Sequence, residues 1–184
     1  MKTKKSKTTR YQIDQSIKIE NTSKATYVGI SNGTQVIISI LAHDKRALKQ
    51  VFRKLKKPLV FKVFTFSVLC AKVLEKSRTK FVIIDREYQG HEIDIKNYIV
   101  QLLRLAGKPI PDIHFSLIGK NSHAHHRVYQ AHTTKKMDKL VNKKRPDALW
   151  IAWSRMVTTG YYPIQSSFIT PILTKMTEIV KKTP

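Results

Sequence analysis

The spacing of apolar positions changes along this chain, and each change predicts an element. A stretch from Tyr11 ends in the alternation Ile17-Lys18-Ile19-Glu20. Two apolar runs, Thr26 to Ile30 and Gln35 to Leu41, then flank Ser31-Asn32-Gly33-Thr34. A period of two fits a half-buried strand, and Asn-Gly between apolar runs is a strong hairpin signal because both residues tolerate positive φ. The stretches Tyr11 to Glu20, Thr26 to Ile30 and Gln35 to Leu41 are therefore expected to form an antiparallel three-stranded meander.

The period then lengthens. Behind Asp44, a candidate N-cap, Leu48, Val51, Phe52 and Leu55 mark one face of a helix that stops before Pro58. Leu59 to Phe64 fits either a strand or the opening of a buried helix, and Phe66, Leu69, Cys70, Val73 and Leu74 predict helix from about Thr65 to Lys76. Phe81 to Ile84 is a short unbroken apolar run that reads as a buried strand, and it delivers Asp85 at its carboxyl end. Tyr88-Gln89-Gly90 turns the chain. Ile95, Tyr98, Ile99, Leu102 and Leu103 then recur at helical spacing behind Asp94, a second candidate N-cap, until Gly107 and Pro109.

Ile113 to Ile118 predicts another strand, followed by a helix from near His123. Strand, helix, strand implies parallel pairing with a right-handed crossover. Pro146 opens a further helix carrying Leu149, Trp150, Trp153 and Val157, and Pro171 opens a last one. The expected fold class is α/β: a mixed sheet with an antiparallel N-terminal meander, then strand-helix-strand-helix, then C-terminal helices. Residues 1–10 read as a disordered basic tail, 11–133 as the α/β core, and 134–184 as a basic link with a helical extension packed on that core.

Charge changes the picture most. The 184 residues include 35 Lys+Arg against 12 Asp+Glu, a formal net charge of +23, far beyond what solubility requires. A polyanionic partner follows, with DNA or RNA ahead of an anionic membrane or an acidic protein. The exposed-looking face of the first helix carries Lys45, Arg46, Lys49 and Arg53, and Lys120, Lys135 and Lys136 add basic positions further on. These are the expected phosphate contacts. No apolar run is long enough to span a bilayer, and the basic N-terminus is followed by polar sequence. The single cysteine, Cys70, excludes an intramolecular disulfide and a cysteine-based metal site, which fits a reducing intracellular compartment, cytoplasm or nucleoid. The C-terminal Trp and Tyr segment is a candidate contact for another protein.

Acid, by contrast, is scarce and concentrated. Asp85, Glu87, Glu92 and Asp94 all lie between Lys80 and Lys96. Carboxylates held together repel, and a divalent cation with oxygen ligands is a common compensation. Simple structural roles compete with that reading: Asp94 as a cap, Glu92 at a helix N-terminus, Glu87 paired with a surface lysine. His123, His125, His126 and His132 cluster without zinc-finger spacing, and His125 is the chosen metal ligand or proton donor. Strand, Gly119-Lys120, helix is a plausible phosphate cradle, but His114 stands where a P-loop needs its first glycine. Nucleotide hydrolysis is therefore disfavoured.

The order of elements over residues 11 to 133 resembles the ribonuclease-H-like superfamily. That resemblance implies carboxylates on the first strand and at the end of the fourth, with an acid or histidine on the last helix, around Mg²⁺ or Mn²⁺. Asp85 takes the fourth-strand position, Glu20 or Asp14 the first, and His125, ahead of Asp138, the last helix. Where the family offers a further acid after the third strand, this chain has only Asp44 at the start of one helix and Glu75 at the end of the next. The resemblance implies a metal-dependent nuclease; taken with the acidic cluster, the expected ligands are Asp85, Glu20 and Glu87 and the expected catalytic groups Asp85, Glu20, Glu92 and His125. A second pattern, Asp85 followed by Asp94-Ile95-Lys96, is similar to the restriction-endonuclease-like nucleases, although helical spacing at Ile95 opposes a strand there. The alternatives are a non-catalytic DNA- or RNA-binding protein and a ribonucleoprotein subunit.

Overall fold

In the computed structural model the described residues are 11–31, 36–54, 56–77, 79–119 and 122–134. The basic tail, the Asn32-Gly33 turn, Lys120, Lys135, Lys136 and the C-terminal extension beyond Thr134 lie outside them. The elements run β1 (Tyr11–Gln15), β2 (Thr26–Ser31), β3 (Val36–Ile40), α1 (Ala42–Lys54), α2 (Val60–Ser77), β4 (Phe81–Asp85), α3 (Glu92–Leu105), β5 (Asp112–Ser116) and α4 (His123–Thr134). They form an α/β fold around one five-stranded mixed sheet in the order β3-β2-β1-β4-β5. β1 pairs antiparallel with β2, and β2 with β3. β4 lies parallel to β1 on one side and to β5 on the other.

The ambiguous stretch from Leu59 to Phe64 belongs to α2, which is buried over most of its circumference. A helix enclosed on nearly all sides has no polar face, so its sequence lacks the stripe that distinguishes helix from strand. Ser67 Oγ is satisfied within the helix, donating to the Val63 carbonyl at 2.8 Å, whereas the buried Thr65 Oγ1 has no hydrogen-bond partner. α2 and α3 cover one face of the sheet, where Ile13, Val28, Ile30, Ile38, Val82, Ile84 and Ile113 join Phe52, Phe64, Phe66, Ile99 and Leu103 in one core. α4 covers part of the other face, with Val128 and Ala131 against Tyr27 and Ile37. The strand period of two sorts these residues, since Tyr27 and Gly29 point away from Val28 and Ile30.

β1 is shorter than the alternation suggests. It ends at Gln15, so Glu20 stands in the following loop and not on the strand. The alternation from Ile17 to Glu20 has another cause. Ile19 is fully buried while Lys18 and Glu20 face outward, and the loop is pinned by Thr26 Oγ1 donating to the Ile17 carbonyl at 2.8 Å. α3 likewise opens at Glu92 with His91 at the N-cap position, and Asp94 falls inside the first turn, paired with His91 at 3.2 Å. Helical residues at Asp94 and Lys96 remove the restriction-endonuclease-like reading, which needs a strand there. Lys96 instead donates to the Ile113 carbonyl on β5 at 3.0 Å.

Gly29 sets how closely α4 can approach. A Cβ at this position would lie 2.8 Å from Val128 Cγ1 and 3.3 Å from Ile37 Cγ1, both on stiff β-branched side chains. Gly29→Ala is expected to destabilise the fold by about 1–3 kcal/mol through overpacking. In urea denaturation, Val128→Ala on the Gly29→Ala background should cost less than the sum of the single changes. Strict additivity would show that the two sites do not meet.

Candidate metal centre

Because β1 and β4 are adjacent and parallel, their carboxyl ends meet at one edge of the sheet. Asp14 is the penultimate residue of β1 and Asp85 the last of β4. Each follows an isoleucine that is fully buried, Ile13 or Ile84, so each carboxylate is fixed by an anchored neighbour. Glu87 is turned back towards them by its backbone N–H, which donates to the Asp85 carbonyl at 2.9 Å. One carboxylate oxygen from each of Asp14, Asp85 and Glu87 then lies within 4.8 Å of the others.

Hydrogen bonds fix the orientation of two of the three groups. Asp14 Oδ1 accepts from the Gln15 N–H at 2.6 Å, and its Oδ2 meets His125 Nδ1 at 2.9 Å. Asp85 Oδ1 accepts from the Ile118 N–H at 2.7 Å, tying the end of β4 to the segment leaving β5. His125 reaches Asp14 from the first turn of α4, whose entry is capped by Ser122 Oγ accepting the His125 N–H at 3.0 Å. Its ring stacks on Tyr129 one turn further along, the pairing expected at i, i+4. With Asp14 ionised its carboxylate can only accept, so Nδ1 is the donating nitrogen of this pair and Nε2 lies outside the bond.

The cluster is electrostatically strained. Burial raises the Asp14 carboxyl above its ordinary range, and the nearby Asp85 raises it further, against the Gln15 N–H and His125. Burial also raises Glu87, with Asp85 and then Asp14 adding to it, against Lys18 and the Gln15 side chain. Lys18 Nζ stands 3.9 Å from Glu87, too exposed to neutralise the group. An all-oxygen donor set of this kind suits a hard cation such as Mg²⁺ or Mn²⁺, which would favour the charged forms that the protein alone disfavours.

The expected site residues divide accordingly. Asp85, Glu87 and His125 come together, and Asp14 occupies the first-strand position that Glu20 was chosen for. Glu20 is outside the cluster because the strand ends before it, and its carboxylate accepts from the Tyr88 hydroxyl at 3.1 Å. Glu92 also stands apart, paired with Arg86 at 3.3 Å at the start of α3. Lys45 is not a surface cation: it is fully buried and donates to the Asn21 carbonyl at 2.5 Å and to Thr26 Oγ1 at 2.8 Å. Burial lowers its pKa to about 8, against the pull of Glu20. Arg46 and Arg53 are exposed and Lys49 half-buried, and Arg46 also donates to the Thr22 carbonyl at 3.0 Å. The signal at Asp14 is weaker than the one at Asp85: a single buried isoleucine, Ile13, precedes it, where an unbroken apolar run precedes Asp85.

Raised carboxyl pKa values mean that the folded chain holds protons which the unfolded chain has released. Stability of the metal-free protein from these groups is therefore present below the ordinary carboxylate pKa of about 4 and is lost as pH rises through the raised folded values. Asp85→Asn keeps an acceptor for the Ile118 N–H and removes one repelling charge. In EDTA at neutral pH it should melt a few degrees higher than wild type, equivalent to about 1 kcal/mol. Mn²⁺ should raise the melting temperature of wild type and leave the variant unchanged. A variant less stable than wild type in EDTA would contradict this electrostatic account.

No family model matches this sequence, and no curated protein matches it.

Proposed function

We propose that this protein is a divalent-cation-dependent phosphodiesterase acting on nucleic acid, with the metal-site arrangement of a ribonuclease-H-like nuclease. The observation that carries the reading is the convergence of Asp14, Asp85 and Glu87 at the ends of two adjacent parallel strands, on a chain whose net charge is +23. In a molecule so poor in acid, three carboxylates this close, one buried and two half-buried, are electrostatically unfavourable unless a cation sits among them.

Asp14, Asp85 and Glu87 would hold Mg²⁺ or Mn²⁺. When bound, such an ion activates water and offsets charge on the leaving oxygen of a phosphodiester. His125 orients Asp14 through Nδ1 and is itself one-third exposed, at 34%, so Nε2 is available to take or return a proton at the site's mouth. Arg46, Lys49 and Arg53 on α1 supply cationic groups for the phosphate backbone, while Lys45 braces α1 against the β1–β2 loop. Binding is then dominated by phosphate contacts and weakens steeply with salt.

The strand order β3-β2-β1-β4-β5, with acids at the ends of β1 and β4 and a histidine on the helix after β5, supports the superfamily assignment. The site carries the chemistry, since a fold by itself does not.

The test is cleavage of labelled single-stranded and duplex DNA, RNA, hybrid and branched substrates with Mg²⁺, Mn²⁺ or EDTA. Asp14→Asn and Asp85→Asn should each lower the metal-dependent rate by at least about 100-fold while leaving salt-sensitive binding in place, and His125→Ala should lower it by about 10–100-fold. Tight binding without cleavage of any substrate by wild type would make the protein a non-catalytic nucleic-acid binder.

A further inference from the structure

Glu87 differs from the other two carboxylates in where it stands. Asp14 and Asp85 lie inside strands, whereas Glu87 lies beyond the end of β4 in the turn that leads to α3. A side chain on a turn keeps a ligand's place only if something else immobilises the turn. Two buried polar residues do so, and neither is a carboxylate of the cluster.

Tyr88, the next residue along, is 4% exposed, and its hydroxyl is engaged on three sides. It accepts from the Ile19 N–H at 3.1 Å, lies 3.4 Å from Gln15 Nε2, and donates to Glu20 Oε2 at 3.1 Å. All three partners belong to the end of β1 and the loop that follows it. The ring is held edge-on by Phe66 of α2 at 5.4 Å, and Lys62 Nζ stands 5.7 Å from its centre. Gln15, 3% exposed, is the neighbour of Asp14, and its side-chain amide nitrogen faces the hydroxyl of Tyr88, the residue that follows Glu87. Gln15 Oε1 is buried without a hydrogen-bond partner. That omission is costly, so the contact of the amide nitrogen with the Tyr88 hydroxyl is what holds this side chain where it is.

We propose that Gln15 and Tyr88 are positioning residues that lock the turn after β4 to the end of β1, and so set Glu87 against Asp14 and Asp85 at the spacing a divalent cation needs. The inference rests on the metal-centre reading and adds to it. Cation affinity here depends on a neutral amide and a buried phenol as well as on the three charges. Outer partners of this kind typically change metal affinity by about 10–100-fold.

Mn²⁺ binding to the full chain without nucleic acid, followed by the electron paramagnetic resonance signal of free Mn²⁺, tests this directly. Gln15→Asn shortens the amide and Tyr88→Phe removes only the hydroxyl. Each should weaken Mn²⁺ binding by about 10-fold, and cleavage should recover at raised Mn²⁺, which Asp85→Asn should not show. Should Tyr88→Phe fail to fold, because it leaves the Ile19 N–H unsatisfied, Gln15→Asn and Gln15→Met carry the test. A folded Gln15 variant, one with a cooperative thermal transition, that binds Mn²⁺ like wild type overturns this inference and leaves the metal centre standing. Wild type that binds no Mn²⁺ overturns both.

Discussion

Repulsion among three carboxylates brought to one edge of the sheet is the constraint on which the rest of this structure turns. Asp14 and Asp85 are placed side by side because β1 and β4 are parallel neighbours, and Glu87 is folded back onto them within two residues. Burial and mutual proximity push Asp14 and Glu87 towards their protonated forms. Such a cluster lowers the stability of the metal-free chain, and a fold that keeps it must be over-determined around it.

That over-determination is visible on every side. Above the cluster, α4 is held close to β2 by the absent side chain of Gly29, and this brings His125 within hydrogen-bond distance of Asp14. Beside it, the Ile118 N–H fixes Asp85, and Gln15 with Tyr88 fixes the turn that carries Glu87. Below it, α2 supplies an apolar body that needs no polar face. Lys45 extends the same network outward, exchanging its role as a surface cation for that of a buried strut to Asn21 and Thr26. The rigidity of the site thus comes from hydrogen bonds and packing around the three carboxylates.

Much of this was legible in the residue pattern. The meander, the βαβ unit and the helix from His123 follow from period and punctuation, and Asp85 stands out because it ends an unbroken apolar run. Glu20 was the harder case. The alternation from Ile17 to Glu20 imitates a strand, but it arises because Ile19 is buried in a loop pinned by Thr26, and this cannot be seen without the tertiary partner. Lys45 misleads for a similar reason: on a helical wheel it belongs with Arg46 and Lys49, and only the loop that folds over it makes it an interior residue. Gln15 and Tyr88 carry no sequence signal of function, since each bonds to a residue brought near only by the pairing of β1 with β4.

The central claim is that Asp14, Asp85 and Glu87 together bind a divalent cation. Diffraction from crystals soaked in Mn²⁺, collected for its anomalous signal, tests it most directly. The account predicts an anomalous peak coordinated by oxygens of these three residues, and its loss from crystals of Asp85→Asn. Well-ordered carboxylates with no peak among them, at Mn²⁺ concentrations that saturate any site of catalytic relevance, would contradict it.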